Sequence, residues 1–352
     1  MPYVLPAVLG SSIFLYGSED DATQGANWGG SGVLVGIPSQ AKPTRVHLYA
    51  VTNDHVIQGC PVIRLVNKAG ETHVLPGTAL DWEPTHPDGD DIAIRSLGAV
   101  REDEYWYVPD EKLLSREDID PEHHPRQISP GDDCVMVGRY INRELRQFDR
   151  PVVRFGNLAM LPELIHQDER AFDQESFLVD MRSHAGFSGS PVFVYYEDLG
   201  WRFLPPEPEK QPPRESPPLP ESLAYEDAVK EIERRHAERM AELEAYHKAN
   251  LERFARDPSG VMGKTWLLGI DWGHLPIWDD VFDGTRRVGR MRVSTGMAGV
   301  VPAWKLRDLL NEEGIRMARD KTEKELAKID EVATILDASE HDELSRVETP
   351  QE

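Results

Sequence analysis

The sequence predicts a mainly β protein built from two strand-rich blocks, with a helical insertion in the second block and further helices after it. Residues 8 to 98 and 126 to 310 contain short runs of β-branched and aromatic residues, separated by Gly, Pro and Asn. Such runs are typical of antiparallel barrels or sandwiches. The chain has 352 residues, of which 39% are hydrophobic and 29% charged. These values fit a globular protein of about two domains and exclude a collagen-like or wholly disordered chain.

The charge balance argues against a nucleic-acid partner. The chain carries 62 Asp and Glu residues against 39 Lys and Arg residues, which gives a net charge of -23. A surface of this sign repels polyanions, so we expect no nucleic acid among the partners.

Neither a membrane segment nor a secretory leader is expected. No window reaches the roughly 18 uninterrupted apolar residues of a membrane helix. The apolar stretch Met1 to Gly17 has no Lys or Arg and is broken by Pro2 and Pro6, which favours a first strand over a signal peptide. Cys60 and Cys134 are too few for a disulfide framework and fit reduced, buried side chains. The expected location is the cytoplasm, with no membrane partner.

The first block, residues 1 to 98, contains six predicted strands. They are Ser12–Tyr16, Gly32–Ile37, Val46–Val51, Val62–Val66, Thr72–Leu75 and Ile92–Leu97. Residues 99 to 125 are charged and contain prolines, which predicts a connector that crosses the surface.

The second block, residues 126 to 310, contains six more predicted strands. They are Cys134–Tyr140, Val152–Met160, Ser176–Met181, Pro191–Tyr196, Trp266–Asp271 and Met291–Val301. Pro302 to Asn311 then predicts an amphipathic helix that closes the block. In the remaining segment, 311 to 352, residues 318 to 336 predict a further helix and the part beyond Ser339 an acidic tail.

An insertion of different composition, residues 201 to 260, interrupts the second block. Eight of the sixteen residues from Pro205 to Pro220 are proline, which predicts an extended, semi-rigid stalk. Residues 222 to 256 follow as a long helix with Glu and Lys or Arg spaced four apart. This helix is either a solvated, charge-laced element or a seam for self-association or a regulatory partner.

Three short motifs carry candidate chemistry, in the order His, Asp, Ser. The predicted strand that ends at Val51 delivers His55 into a loop, and Asp90 and Asp91 precede the strand that starts at Ile92. The third motif, Gly186 to Pro191, places Ser188 in a glycine-rich turn immediately before a strand. These residue types combine as a nucleophile, its general base and the carboxylate that orients the base. The amides of Gly186 and Ser188 would form an oxyanion hole.

Each motif also has a structural alternative. A glycine-rich stretch can simply connect two strands, a histidine after a strand is often structural, and paired acids often lie in solvated loops. The order of the three motifs, across two strand-rich blocks of suitable size, favours a catalytic triad.

With these motifs the chain resembles a trypsin-like, chymotrypsin-fold serine peptidase of the compact bacterial HtrA-like branch, without a PDZ domain. The resemblance covers residues 8 to 310 apart from the insertion. It is supported by Gly30 to Val35, by Pro130 to Asp133 and by Gly269 to Gly273, which match strands or strand entries of that family. It implies two antiparallel six-stranded β-barrels, the first holding His55 and Asp91 and the second Ser188.

The resemblance also implies roles for residues. His55 would be the general base, Asp91 its orienting carboxylate, and Ser188 the nucleophile that forms an acyl-enzyme. Trp272 and Gly273 would line the primary pocket.

Other positions define the substrate site that the resemblance implies. The edge from Ile270 through Asp271 to Gly273 would bind substrate as an added strand. Arg182, six residues before the nucleophile, either faces the pocket and favours an acidic residue before the cut bond, or forms a surface salt bridge. No metal and no organic cofactor is implied.

Two residues depart from the family pattern. Phe187 stands where secreted digestive members have the acid that receives a freed amino terminus, so that salt bridge is absent here. Asp271 stands where the family often has Ser or another small residue.

Two functions are therefore expected from different classes. The first is a serine endopeptidase that acts on protein or peptide substrates. The second is a latent or non-catalytic peptidase-fold module that works through its helical arm, residues 222 to 256.

Overall fold

The computed structural model describes residues 4–84, 89–120, 128–138, 151–167, 171–181, 186–195, 234 and 265–328. The chain divides into two compact units, one of Met1–Glu197 with Lys264–Glu352 and one of Asp198–Gly263. The predicted stalk and helix lie outside the described residues, apart from Arg234, which is helical and exposed. Every strand described below belongs to the first unit.

The mainly β class predicted from the sequence is confirmed. In the described residues the first sheet contains eight strands: β1 (Ser12–Tyr16), β2 (Trp28–Pro38), β3 (Arg45–Thr52), β4 (Val62–Val66), β5 (Thr72–Leu75), β6 (Glu83–Pro84), β7 (Ala93–Arg101) and β8 (Val108–Pro109). Their order is β5-β4-β1-β2-β3-β7-β6, and β8 pairs with β2 in parallel.

The second sheet closes into a six-stranded antiparallel barrel in the order β10-β11-β14-β13-β12-β9. Its strands are β9 (Asp133–Gly138), β10 (Val152–Gln167), β11 (Phe172–Asp180), β12 (Pro191–Tyr195), β13 (Thr265–Asp283) and β14 (Arg286–Pro302). The prediction of a six-stranded second barrel matches this closed sheet.

The first sheet differs from the six-stranded barrel that the resemblance implies. Its described strands follow an open path from β5 to β6, and β6 and β8 are only two residues long. Two-residue strands carry no period-2 pattern, so sequence periodicity has no signal for them.

The hairpin of β13 and β14 is longer than the sequence predicted. β13 and β14 pair beyond the barrel as far as Asp283 and Arg286, whereas the predicted strands stop at Asp271 and begin again at Met291. The sequence between is charged and lacks apolar alternation. Cross-strand pairing supports it instead, because Asp280 Oδ1 lies 3.1 Å from Arg287 Nε and 3.0 Å from Arg290 Nε.

Strand β1 forms the centre of the first core and is buried along its whole length. Ile13 and Leu15 belong to the main hydrophobic cluster of this sheet. Phe14 and Tyr16 pack with Ala22 in a second cluster. Apolar side chains on both faces fix β1, and with it the neighbouring β2, in the interior. In the second barrel the fully buried side chains include Val137, Phe177, Val192, Phe193 and Val300.

In the described residues of the first unit, five α-helices accompany the sheets: α1 (Pro6–Gly10), α2 (Glu19–Gln24), α3 (Asp54–Ile57), α4 (Ala303–Leu310) and α5 (residues 313–328). Helix α4 confirms the helix predicted over Pro302–Asn311, and its Trp304 packs edge-on against Phe177 with ring centroids 5.4 Å apart. Helix α5 starts five residues earlier than the predicted start at 318, and the tail predicted beyond Ser339 lies outside the described residues. No helix in the described part of the chain is both long and apolar enough to cross a membrane.

Helix α5 is held against the first sheet by polar contacts. The Glu323 carboxylate accepts hydrogen bonds from the backbone amide of Ala41, at 2.7 Å, and from the ring of His47 on β3. Arg319 donates to the hydroxyl of Tyr49 at 3.4 Å and to the carbonyl of Leu310 at 3.1 Å. These bonds attach the segment after the second barrel to the first sheet.

We expect the attachment of α5 to weaken in acid. Partial burial opposes ionisation of Glu323, but the bonds from His47 and Ala41 outweigh it and lower the pKa of its carboxyl below 4.5. A lowered pKa in the folded state stabilises the fold above the unfolded pKa, and this contribution is lost as the pH falls through the folded pKa. The Tm of Glu323→Gln should therefore lie below that of the wild type at neutral pH, and the difference should shrink as the pH falls below 4.5.

Thermal unfolding followed by circular dichroism at several pH values measures this difference. Glu325→Gln, an exposed position on the same helix, is the matched control and should keep the wild-type Tm throughout. Equal Tm values for wild type and Glu323→Gln at neutral pH would contradict the attachment.

Candidate active site

His55 and Asp91 form a close pair at the end of the first sheet. His55 lies on the short helix α3, which begins directly after β3. Its Nδ1 is 2.7 Å from Asp91 Oδ2, and its backbone amide donates to Asp91 Oδ1 at 3.1 Å. Both carboxylate oxygens of Asp91 therefore bond the same residue, which fixes the imidazole ring relative to the carboxylate.

Burial distinguishes the two members of this pair. The Asp91 side chain is 0% exposed and that of His55 is 38% exposed. Asn53 Nδ2 donates to the carbonyl of Asp91 at 2.7 Å, and Gln174 Oε1 accepts from its amide at 2.8 Å. The acid is thus shielded and held by several bonds, while the imidazole side chain is partly exposed to solvent.

A second His–Asp pair shows why the shielding matters. His166 Nδ1 and Asp173 Oδ1 are also 2.7 Å apart, but their side chains are 57% and 64% exposed. Solvent screens such a pair, so it contributes little. Of these two pairs, that of His55 and Asp91 couples an exposed imidazole to a fully buried carboxylate.

Ser188 lies in a tight turn before β12. Gly186 and Gly189 have φ angles of +92° and +86°, a backbone region that side-chain-bearing residues rarely adopt. The amide of Ser190 donates to the carbonyl of Phe187 at 2.8 Å and closes the turn. Phe187 is buried and lies under the guanidinium of Arg154, which is 4.5 Å from the ring centroid. A buried apolar side chain therefore lies directly beside Ser188 in the turn.

Ser31 of the first sheet holds the turn on both sides of Phe187. Its amide donates to the carbonyl of Ser188 and its hydroxyl to the carbonyl of Gly186, both at 2.9 Å. The Ser31 carbonyl in turn accepts from Thr52 Oγ1 at 2.7 Å, near the end of β3. The turn that carries Ser188 is thus tied to the strand that leads to His55.

Gly30 brings the two motifs together. A Cβ placed on Gly30 would lie 2.6 Å from Cγ1 of Val56 and 3.2 Å from the carbonyl oxygen of Ser188. Val56 follows His55 directly on α3. The helix of His55 and the turn of Ser188 therefore meet on either side of one glycine, and a larger residue there would separate them.

The predicted substrate edge divides into two parts. Ile270 and Asp271 are fully buried, and their backbones pair with β14. On the other side, Asp271 accepts from the Gly189 amide at 2.8 Å and donates to the Ser190 carbonyl at 2.9 Å. These two residues therefore have no open edge for an added strand and instead support the Ser188 turn.

The second part, Trp272 and Gly273, is half-buried. Trp272 Nε1 donates to Ser176 Oγ at 2.9 Å, and its ring covers Gly299. Gly273 pairs with Gly299 of β14, and apart from its chain neighbours no atom lies within 4 Å of the place that a Cβ on Gly273 would take. Arg182 lies outside the described residues, and its pocket role stays a prediction.

Two contacts that support the site gave no signal in the sequence. Gln174 contacts Asp91 across 83 residues of chain, and Ser31 contacts Gly186 across 155. Gln174 belongs to none of the motifs, and the match of Gly30 to Val35, which includes Ser31, did not indicate its partner. In the part of the chain that the structure describes, no group of three or more His, Cys, Asp or Glu side chains is arranged to hold a metal ion.

Comparisons with known proteins return protease structures but no sequence relative. No family model and no curated protein matches the chain. The protease domain of MamO from Magnetospirillum magneticum is 16% identical with a TM-score of 0.36, over 53% of this chain and 79% of that chain. Deg5 is 18% identical with a TM-score of 0.32, over 52% of this chain and 73% of that chain. The HtrA-type protease AlgW with a tripeptide is 14% identical with a TM-score of 0.38, over 88% of this chain and 63% of that chain. Because these similarities are low, the function proposed below depends on the hydrogen bonds and burial of this chain.

Proposed function

We propose that the protein is a serine endopeptidase that hydrolyses peptide bonds through an acyl-enzyme on Ser188. The carrying observation is the 2.7 Å bond between His55 and the fully buried Asp91, next to the turn that holds Ser188. An exposed imidazole backed by a shielded carboxylate is the arrangement that activates a serine hydroxyl.

His55 acts as the general base in this proposal. Asp91 Oδ2 accepts a hydrogen bond from Nδ1–H, so Nε2 carries the lone pair that takes the proton of the Ser188 hydroxyl. The same proton then passes to the leaving amine. The buried charge of Asp91 stabilises the imidazolium that forms between these two transfers.

The amides of Gly186 and Ser188 supply the proposed oxyanion hole. Ser31 bonds the carbonyls of both residues, which supports a fixed backbone on each side of Phe187. Fixed donors stabilise developing charge without reorganising during the reaction, and each contributes about 3 kcal/mol or more.

The substrate is proposed to be an extended peptide that binds along β13 at Trp272 and Gly273 as an added strand. Arg182 would favour an acidic residue before the cut bond. Cysteine usage supports a reducing compartment, proposed as the cytoplasm. The helix of residues 222 to 256 is proposed as the site of self-association or of a regulatory partner.

Labelling with a fluorophosphonate tests this function directly. Such a probe reacts with a serine whose base and oxyanion hole are in place, so the full chain should incorporate about one label per molecule. Ser188→Ala and His55→Ala should both lose the label. Ser96→Ala, an exposed serine outside the site, should keep it.

Labelling is read by intact-mass spectrometry on folded protein. A wild type that stays unlabelled would overturn the proposal and favour a latent or non-catalytic module. Label retained in Ser188→Ala would assign the reactive serine elsewhere.

A further inference from the structure

Gln174, a buried residue of β11, links the second barrel to the candidate catalytic acid. Its Oε1 accepts from the amide of Asp91 at 2.8 Å. Its Nε2 donates to Asp90 Oδ1 at 2.8 Å and to the carbonyl of Glu175 at 3.0 Å. The Gln174 side chain thus bonds the consecutive residues Asp90 and Asp91 through the two ends of its amide.

Lys305 of α4 is a second residue that contacts Asp90. Its Nζ lies 3.2 Å from Asp90 Oδ2 and 3.3 Å from Glu175 Oε2. Arg116 completes the cluster with two bonds to the Glu175 carboxylate, at 2.8 and 3.0 Å. Both carboxylate oxygens of Asp90 are therefore held by residues that lie outside the first sheet.

Glu175 and Arg116 each favour the charged form of the other. Burial opposes ionisation of Glu175, but Arg116 and Lys305 outweigh it and lower the pKa of its carboxyl. The pKa of Arg116 is raised in return, with the hydrogen bond to Glu175 as the largest cause. Charge-assisted bonds of this kind are stronger than neutral ones and favour one geometry.

The position of Asp91 depends on these contacts. A buried amide that loses its acceptor carries the full desolvation penalty, so the Asp91 peptide must stay where Gln174 reaches it. The Asp91 carboxylate is attached to that peptide and binds both the ring and the amide of His55. A shift of the peptide would therefore move the imidazole.

We propose that Gln174 is a positioning residue that sets the orientation of the Asp91–His55 pair from the second barrel, with Lys305 holding the adjacent Asp90. This inference rests on the proposed peptidase function. In this proposal, contacts from outside the first sheet determine the orientation of the Asp91 carboxylate. A displacement of about 1 Å at a reacting group can cost a hundredfold in rate.

Gln174→Met tests the inference in the full chain. Methionine has a similar volume but lacks the amide, so all three bonds of the Gln174 side chain are removed with little change in packing. The rate constant for labelling by the fluorophosphonate should fall about 10- to 100-fold, with KM for a peptide substrate unchanged and full label reached eventually. Full eventual label separates misorientation from loss of folded protein.

A matched control and a rescue make the test specific. Gln167 is also buried, on β10, and its Nε2 has no hydrogen-bond partner among the described residues, so Gln167→Met should keep the wild-type rate. Gln174→Glu keeps the acceptor for Asp91 but opposes the Asp90 carboxylate, and it should label slowly. The double variant Gln174→Glu, Asp90→Asn restores a donor and acceptor pair and should recover most of the rate.

The outcomes separate the two claims. Wild-type protein that does not label overturns the peptidase function and with it this inference. Wild-type labelling with an unchanged rate in Gln174→Met overturns the inference alone. A double variant no faster than Gln174→Glu would also overturn it, because the amide polarity would then be irrelevant.

Discussion

Asp91→Asn is expected to lower kcat for peptide hydrolysis about 10,000-fold while leaving the fold intact. The reason lies in the two bonds that the carboxylate makes to His55. The backbone amide of His55 requires an oxygen at the Oδ1 position, 3.1 Å away. The amide nitrogen of the asparagine is therefore placed at the other position, facing Nδ1.

This placement reverses the tautomer of the imidazole. An N–H that points at Nδ1 forces Nδ1 to accept, so the ring proton moves to Nε2. A protonated Nε2 no longer takes the proton of Ser188. Removal of the buried negative charge adds to the loss, since nothing then stabilises the imidazolium.

Steady-state kinetics on a peptide substrate and the fluorophosphonate labelling rate measure the effect. Asp173→Asn is the matched control, because Asp173 forms the exposed pair with His166 at the same 2.7 Å distance. It should keep the wild-type kcat. A kcat of Asp91→Asn within tenfold of the wild type would exclude Asp91 as the orienting carboxylate.

Gly189→Ala is expected to abolish labelling of Ser188 and to lower the Tm. A Cβ at this position would lie 2.0 Å from the carbonyl oxygen of Ser31 and 2.2 Å from Thr52 Oγ1. These two atoms are hydrogen-bonded to each other, and Ser31 also bonds the carbonyls of Gly186 and Ser188 in the turn. The turn would have to leave Ser31, and the amides of the oxyanion hole would move with it.

Gly70→Ala separates backbone strain from this displacement. Gly70 and Gly189 have the same φ of +86°, but no atom lies within 4 Å of the Cβ position of Gly70. Its substitution should cost about 1 to 2 kcal/mol of stability from the left-handed backbone alone and leave labelling intact. Equal labelling of the two variants would show that contact between the turn and Ser31 is not needed for the reactive serine.

Local pattern was sufficient for many of the strands. The predicted and observed bounds of β1, β4 and β5 are identical. Each is a short run of β-branched or aromatic residues bounded by turn residues, so local chemistry alone defines it. The outer hairpin of β13 and β14 was missed because pairing between strands, rather than an apolar face, holds it.

The candidate site divides in the same way. The local pattern identified His55, Ser188 and the pair Asp90 and Asp91 as candidates, because a residue that ends or precedes a strand is visible in it. The family resemblance then selected Asp91 from the pair. The glycine-rich turn around Ser188 was also predicted, and its Gly186 and Gly189 have the positive φ angles that this turn needs. The predicted substrate edge at Ile270 and Asp271 has no unpaired backbone, because these residues already pair with β14 and with the turn of Ser188.

Only the tertiary structure decided which groups surround these residues. The bonds from Ser31 to the Ser188 turn and from Gln174 to Asp91 join positions 155 and 83 residues apart in the chain. Periodicity describes neighbours within one helix or strand and carries no information about such separations. The residues proposed for the chemistry follow from the local sequence, whereas their orientation and burial arise from contacts that exist only when the two sheets have folded together.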